Sequence, residues 1–342
     1  MRDRILLMAD DFAVRHLLPD ETLDRLHAMG DVLRLPVDAS AEEFRAALRD
    51  RTALLLAGWD CAPTLDRRLL ESAPDLRFIA CLQGSRWRTI DAPAALERGI
   101  VCCDPSGALG YAVAEFALGL ILACLRDIPG KHRLMADGGW WSGWEDAADG
   151  RLTQLRGQPV GIVGMGEIGR GLIRLLAPFE CDLTVWSSYL DTAEAARLGV
   201  RIAGVTELCA TSDVVVVATQ PRPATAGLVN AAAIDAMRPG SLFVLVGRAA
   251  TVDTDRLYRR VTDGELRLGI DVYEHEPLPA GHVLRGNENV VHTPHVGSRT
   301  IAANRAMVTE MVADLGRLRA GERPQWAATE RRVAAIGRVR HG

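Results

Sequence analysis

Gly164, Gly166 and Gly169 stand at the spacing G-x-G-x-x-G, and no other residues in the chain point so directly to a chemistry. The first glycine allows a sharp turn, the second lets backbone approach a pyrophosphate, and the third lets a helix pack closely on a strand. The helix N-terminus beyond them offers unpaired N–H groups and partial positive charge to phosphate. A bare glycine triplet means little, so its setting decides. Val160 to Val163 is a short apolar run that reads as a buried strand, and Arg170 to Ala177 has helical periodicity. Strand, glycines, helix is the order of a dinucleotide-binding turn.

The whole chain must be able to position such a turn. Its 342 residues suffice for two domains with separate cores, and 48% hydrophobic with 25% charged residues is the profile of a globular enzyme. A net charge of −4 gives no general attraction to nucleic acid. The basic end (Arg331, Arg332, Arg338, Arg340) reads as a solvated terminus. Seven cysteines, an odd number without CxxC pairs, imply reduced thiols, no metal centre and a cytoplasmic location. The apolar part of the N-terminus is too short for a signal peptide, and no run reads as membrane-span length, so no membrane partner is expected.

Strands and helices alternate from the start, which implies parallel sheets with right-handed crossovers. Strands are expected at Ile5–Ala9, Val32–Leu35, Thr52–Leu56, Phe78–Cys81 and Ile100–Cys102, with helices at Asp20–Met29, Ala41–Leu48, Leu65–Ser72 and Ala92–Arg98. This first α/β unit lacks a glycine fingerprint and is assigned to a substrate. Ala112–Arg126 is a nearly all-apolar helix suited to a connector between domains. Trp140, Trp141 and Trp144 follow in a glycine-rich segment that reads either as core packing or as a subunit-contact arm. A second α/β unit runs from Val160, through a strongly apolar strand at Asp213–Ala218, to a closing helix at Ser298–Leu318.

Three further segments follow in order: Gly247-Arg248-Ala249-Ala250-Thr251-Val252-Asp253, Gly269-Ile270-Asp271-Val272-Tyr273-Glu274-His275-Glu276-Pro277-Leu278, and Thr293-Pro294-His295-Val296-Gly297. With Val113-Ala114-Glu115 and the glycine fingerprint, they resemble the D-isomer-specific 2-hydroxyacid dehydrogenase family, in particular its glyoxylate and hydroxypyruvate reductase-like members. The resemblance covers nearly the whole chain. It implies an α/β fold of two doubly wound parallel-sheet domains with a cleft between them, one a Rossmann dinucleotide domain and one a flavodoxin-like substrate domain. Carried over, residues 1–110 and 305–342 form a discontinuous substrate domain and residues 111–304 the dinucleotide domain, through which a homodimer is expected.

Reducing a 2-keto acid requires a hydride donor, a proton donor for the developing alkoxide and a cation for the carboxylate. By resemblance His295 is the proton donor, a role that suits imidazole near neutrality. Glu276 pairs with its other nitrogen and favours its protonated form, and Arg248 offers a charged fork to the substrate. The resemblance places Asp271 against the nicotinamide and extends the cofactor-binding set to Glu167, Ile168, Gln220, Thr225, Val246, Gly247 and Gly297, together with Arg248 and His295. For the substrate it points to Gly84, Ser85 and Arg86, after a strand of the first domain. Arg86 stands where many members have glycine, and with Arg88 it could hold a second acidic group or simply face solvent.

About eighteen residues beyond Gly169, an NAD enzyme usually carries an acid for the adenosine ribose. This chain has Ser187 and Ser188, which can donate to a 2′-phosphate, and Arg222 in a neighbouring turn could supply charge. The cofactor is therefore NAD or NADP, with the balance slightly toward NADP. Other departures are Ala249 for a glycine, His292 for a leucine and Gln220 for a proline. The leading expectation is an NAD(P)-dependent oxidoreductase interconverting a 2-keto acid and a D-2-hydroxy acid. Two readings stand behind it: a phosphorus-oxyacid dehydrogenase using the same trio, and a dinucleotide-sensing corepressor-like binding protein of this fold.

Overall fold

The computed structural model describes residues 2–58, 63–82, 89–141, 144, 147 and 152–328. The chain divides into two compact units, Met1–Leu109 with Arg299–Gly342, and Gly110–Ser298. The first holds five parallel strands, β1 (Asp3–Met8), β2 (Gly30–Leu35), β3 (Ala53–Leu56), β4 (Phe78–Cys81) and β5 (Val101–Cys103). Their order is β2-β1-β3-β4-β5. The second holds seven, β6 (Pro159–Val163), β7 (Asp182–Trp186), β8 (Arg201–Ile202), β9 (Val214–Val217), β10 (Leu242–Leu245), β11 (Arg267–Ile270) and β12 (Val290–His292). Here the order is β12-β11-β10-β9-β6-β7-β8, again all parallel. This is the doubly wound α/β class expected from the sequence.

The strands β3, β4, β9 and β10 are buried on both faces, which is why they read as unbroken apolar runs. The period of two persists inside them. Val214 and Val216 pack with Val160, Ile162, Leu242 and Val244 on one face, whereas Val215 and Val217 pack with Val163, Phe243 and Leu245 on the other. In the second unit the chain moves outward from β6 through β7 to β8, then restarts on the other side of β6 with β9. The β6–β9 junction is thus a topological switch point, where α/β sheets bind ligands at the carboxyl ends of their strands.

The helix Gly110–Leu125 belongs to the second unit, where Ala114, Ala117, Leu120, Ile121, Cys124 and Leu125 are buried. Small residues let it cross close to the helix Glu167–Leu176: a Cβ on Gly110 would sit 2.3 Å from Cβ of Glu167, and one on Gly171 3.0 Å from Cβ of Ala114. The sequence reading of its length needs correction. Joined to the 3₁₀ turn Pro105–Leu109, it makes a 21-residue run, Pro105–Leu125, long and apolar enough to cross a membrane by length and composition alone. Starting the helix at Ala112 hides this; in this fold 39% of its most apolar stretch is buried.

Two helices fall outside the sequence expectation, Asp11–His16 and Ile128–Ala136. The second buries no residue, so it carries no inward apolar stripe to read. Core packing of the tryptophans is overturned: Trp140 and Trp144 are 78% and 79% exposed.

Candidate active site

Six sequence-marked residues of the second unit lie just beyond the carboxyl ends of parallel strands. Gly164 follows β6, Ser187 follows β7, Gln220 follows β9, Arg248 follows β10, Asp271 follows β11, and His295 follows β12. Parallel register brings these ends to one edge of the sheet, so residues far apart in sequence meet there.

At the glycine turn, each glycine has its own physical reason. Gly164 adopts φ +114°, a region closed to ordinary side chains, and donates its N–H to the Trp186 carbonyl at 2.9 Å. A Cβ on Gly169 would lie 2.1 Å from the Gly164 carbonyl oxygen, so the helix can seat here only without one. A Cβ on Gly166, in contrast, would meet nothing within 4 Å. Gly166 is therefore bare toward open space. It is also the N-cap of the helix Glu167–Leu176, and no side chain caps that terminus. The first-turn N–H groups and the helix's partial positive end face the gap, as a pyrophosphate requires. Glu167 is exposed and Ile168 half-buried beside it. The cradle fits a dinucleotide.

His295 and Glu276 meet as a pair. His295 Nδ1 and Glu276 Oε2 are 2.7 Å apart, and Glu276 Oε1 accepts from the Tyr273 N–H at 3.0 Å. Partial burial pushes the Glu276 carboxyl up. Hydrogen bonds from His295 and Tyr273, with the charges of His295 and Arg248, outweigh that and hold it below its ordinary value. Glu276 is then a carboxylate that only accepts, so Nδ1 carries the proton and Nε2 is the nitrogen that can serve a substrate. Arg248 is exposed just past β10, near enough for its charge to be felt at Glu276. Its Nη1 donates to the Gly247 carbonyl at 2.7 Å. Gly247 approaches the β9 end so closely that a Cβ would lie 2.5 Å from the Thr219 carbonyl oxygen. Val246 beside it is buried.

His295 sits at φ +53°, a left-handed conformation that costs about 1–3 kcal/mol in a residue with a side chain. Asp271 explains how it is held. Its Oδ1 accepts from Thr293 Oγ1 at 2.7 Å and from the Val296 N–H at 2.9 Å, and its Oδ2 accepts from the Gly297 N–H at 2.9 Å. Hydrogen bonds to a buried carboxylate contribute roughly 1.5–3 kcal/mol each, so three of them outweigh the strain. Gly297 packs tightly here, since a Cβ would lie 3.0 Å from the Phe116 ring and 3.1 Å from Asp271 Oδ2. Asp271 was singled out in the sequence for the cofactor. Its grip on the histidine loop was not, although an acid following one strand and a Thr-Pro-His segment after the next is a readable signal.

A second cluster gathers at the adenosine side. Ser187 Oγ accepts from the Tyr189 N–H at 3.1 Å, and Arg222 donates to the Tyr189 hydroxyl. Arg222 N–H donates to Thr225 Oγ1 at 2.8 Å, which in turn donates to the Gln220 carbonyl at 2.7 Å. Ser188 is exposed. Tyr189 had no sequence signal.

Gly84, Ser85, Arg86 and Arg88 lie outside the described residues, as does the basic end. A cavity of about 420 Å³ lined by Thr254, Tyr258, Arg259, Glu274, His275 and His282 includes none of the trio. No group of His, Cys, Asp and Glu among the described residues could hold a metal ion. Burial pushes the thiols of Cys102, Cys124 and Cys209 up to about 12, so they are not nucleophiles.

The family described as D-isomer specific 2-hydroxyacid dehydrogenase, NAD binding domain, matches residues 118–297. A glyoxylate reductase of Thermofilum pendens is 30% identical over 322 residues, covering 91% of this chain and 92% of that protein. A D-3-phosphoglycerate dehydrogenase of Mycobacterium bovis is 30% identical over 86% of this chain, which spans only 54% of that longer relative. Among solved structures, the apo form of Rhodotorula graminis D-mandelate dehydrogenase shares the fold at a TM-score of 0.84, with 24% identity over 96% of this chain and 98% of that one.

Proposed function

The chain belongs to the D-isomer-specific 2-hydroxyacid dehydrogenase family, and from that premise we propose that it reduces a small 2-keto acid to the D-2-hydroxy acid, or runs the reverse, with a nicotinamide dinucleotide. The observation that carries this reading is the Glu276–His295 pair, poised at the same strand edge as an open glycine turn. The bound nicotinamide supplies or accepts the hydride. The turn Gly164–Gly169 and the helix after it hold the pyrophosphate. Arg248 binds the substrate carboxylate and draws electron density from the carbonyl, since a planar guanidinium can donate two parallel hydrogen bonds. His295 delivers a proton from Nε2 to the carbonyl oxygen as it becomes an alcohol, and takes it back in the oxidation direction. Glu276 stabilises the imidazolium and fixes the ring, and Asp271 positions the loop that carries it.

Residues 110–298 serve the dinucleotide and the remainder the substrate. NADP is favoured over NAD because serines occupy the place of the ribose-binding acid, with Arg222 beside them. The names of the relatives make glyoxylate, 3-phosphoglycerate-type and aromatic 2-keto or 2-hydroxy acids the substrates to try first. Exposed apolar side chains at Ile128, Met135, Trp140 and Trp144 support a homodimer through this unit, expected as a doubled molar mass in light scattering. The six described cysteines are all free, which supports a reducing, cytoplasmic setting.

The test is a panel of 2-keto acids assayed with NADH and with NADPH, with a phosphorus oxyacid such as phosphite run against the oxidised cofactors. Turnover of at least one keto acid is expected. Turnover of the oxyacid alone would move the reading to the phosphorus chemistry, and dinucleotide binding without any turnover would move it to a sensor.

A further inference from the structure

We propose that Tyr273 is a positioning residue for proton delivery, its phenol fixing the turn that presents His295 while its backbone N–H holds Glu276. The inference rests on the acid–base reading above and extends it to a side chain outside the trio. β11 and β12 pair in parallel register, with Ile270 beside His292. Tyr273 lies three residues past β11 and Thr293 one residue past β12, so the two strand ends bring them together.

The phenol has one polar end, and the fold gives it one task. Tyr273 is buried in the same apolar core as Val272, Leu284 and Val290. A buried tyrosine hydroxyl needs a hydrogen-bond partner. Here it donates to the Thr293 carbonyl at 3.1 Å. Burial, with the negative charges of Asp271 and Glu276, pushes the phenol up to about 12, so near neutrality it keeps its proton and stays a donor. That proton is committed to the carbonyl. Tyr273 therefore acts through His295 rather than on a substrate.

The Thr293 carbonyl is where the chain turns into the histidine. Two residues on, the His295 N–H donates to the same oxygen at 3.1 Å, closing a three-residue turn around Pro294. A carbonyl oxygen has two lone pairs, and the phenol and this amide take both. His295 leaves that turn at φ +53°. Asp271 holds the far side through the Val296 and Gly297 N–H groups, and it also holds the Thr293 hydroxyl. Tyr273 adds a tie on the near side, at the peptide that enters the turn. Its own N–H donates to Glu276 Oε1 at 3.0 Å, while Oε2 of that carboxylate meets His295 Nδ1. One residue thus grips both partners, the glutamate by its backbone and the histidine segment by its side chain. Phenylalanine would keep the first grip and lose the second. Reacting geometry is sensitive on this scale, since a misplacement of about 1 Å can cost on the order of 100-fold in rate.

The test is a double-mutant cycle on the full chain, Tyr273→Phe with His295→Ala, assayed on a 2-keto acid that the unsubstituted protein reduces. It is read as kcat, KM and dinucleotide affinity, melting temperature being followed throughout. Tyr273→Phe should reduce kcat about tenfold, with KM and dinucleotide affinity changed less than about twofold. Replacing Tyr273 by p-aminophenylalanine, which restores an N–H donor at the same ring position, should recover most of the loss. In the His295→Ala background, Tyr273→Phe should change the residual turnover less than about twofold, since the histidine it positions is gone. Full kcat in Tyr273→Phe, an equal loss in both backgrounds, or a loss of kcat matched by one of dinucleotide affinity would overturn the positioning role while leaving the acid–base pair standing. Absence of any 2-keto acid turnover in the unsubstituted protein, or unchanged turnover in His295→Ala, would overturn the acid–base reading and the role of Tyr273 with it.

Discussion

Each unit of this protein starts a parallel sheet from an inner strand that runs straight into a helix, yet the two turns are chemical opposites. After β1, Asp10 caps the helix Asp11–His16, its carboxylate accepting from the Ala13 N–H at 2.6 Å, and Asp11 adds a second acid in the first turn. After β6, the cap is Gly166, with no side chain and open space where one would project. The first terminus satisfies its own N–H groups and repels anions, whereas the second leaves them for a phosphate. The same strand–helix architecture therefore becomes structural or functional according to one cap residue.

That contrast can be broken deliberately. Gly166→Asp would copy the first unit's cap into the second. The backbone there (φ −78°) accepts a side chain, so the fold should persist while dinucleotide affinity falls by roughly 100-fold through like-charge repulsion; titration by fluorescence reads it. Glu276→Gln probes the acid–base pair on the open side and should reduce turnover roughly tenfold to hundredfold. Its pH profile is more informative than its rate. Because the Glu276 carboxyl is held below its ordinary 4.5, the pair is fully formed above that pH and is lost only as pH falls through the lowered value. The unsubstituted enzyme should keep its activity as pH falls to 4.5 and lose it only as pH passes through the lowered value. The Gln variant should have no such acid limb. Smallest of all, Asp10→Ala removes the first unit's cap. It should cost about 0.5–2 kcal/mol of stability and leave dinucleotide affinity unchanged, which a melting curve and a titration report together.

Sequence carried the frame of this molecule well, because strands buried on both faces and amphipathic helices leave strong patterns. The helices Asp20–Met29 and Ala41–Leu48 and the strand β4 were read to the residue. The helix Ile128–Ala136 escaped because it buries nothing and so has no pattern to show. The glycine triplet was legible because Gly164 and Gly169 meet steric demands that only glycine satisfies, while Gly166 leaves the helix terminus bare. Less legible were the residues that act by meeting across strand ends. Asp271 binding the loop of His295, and Tyr189 meeting Arg222, depend on strand order, which no local pattern encodes. Gly84, Ser85 and Arg86 lie outside the described residues.

The most direct test of the central claim is a paired measurement on His295→Ala, with dinucleotide affinity by titration and 2-keto acid turnover on the same preparation. The account predicts affinity close to that of the unsubstituted enzyme and turnover lower by roughly 10²–10⁴, the share of a lost general acid. Turnover that survived the substitution, with the dinucleotide still bound, would contradict it.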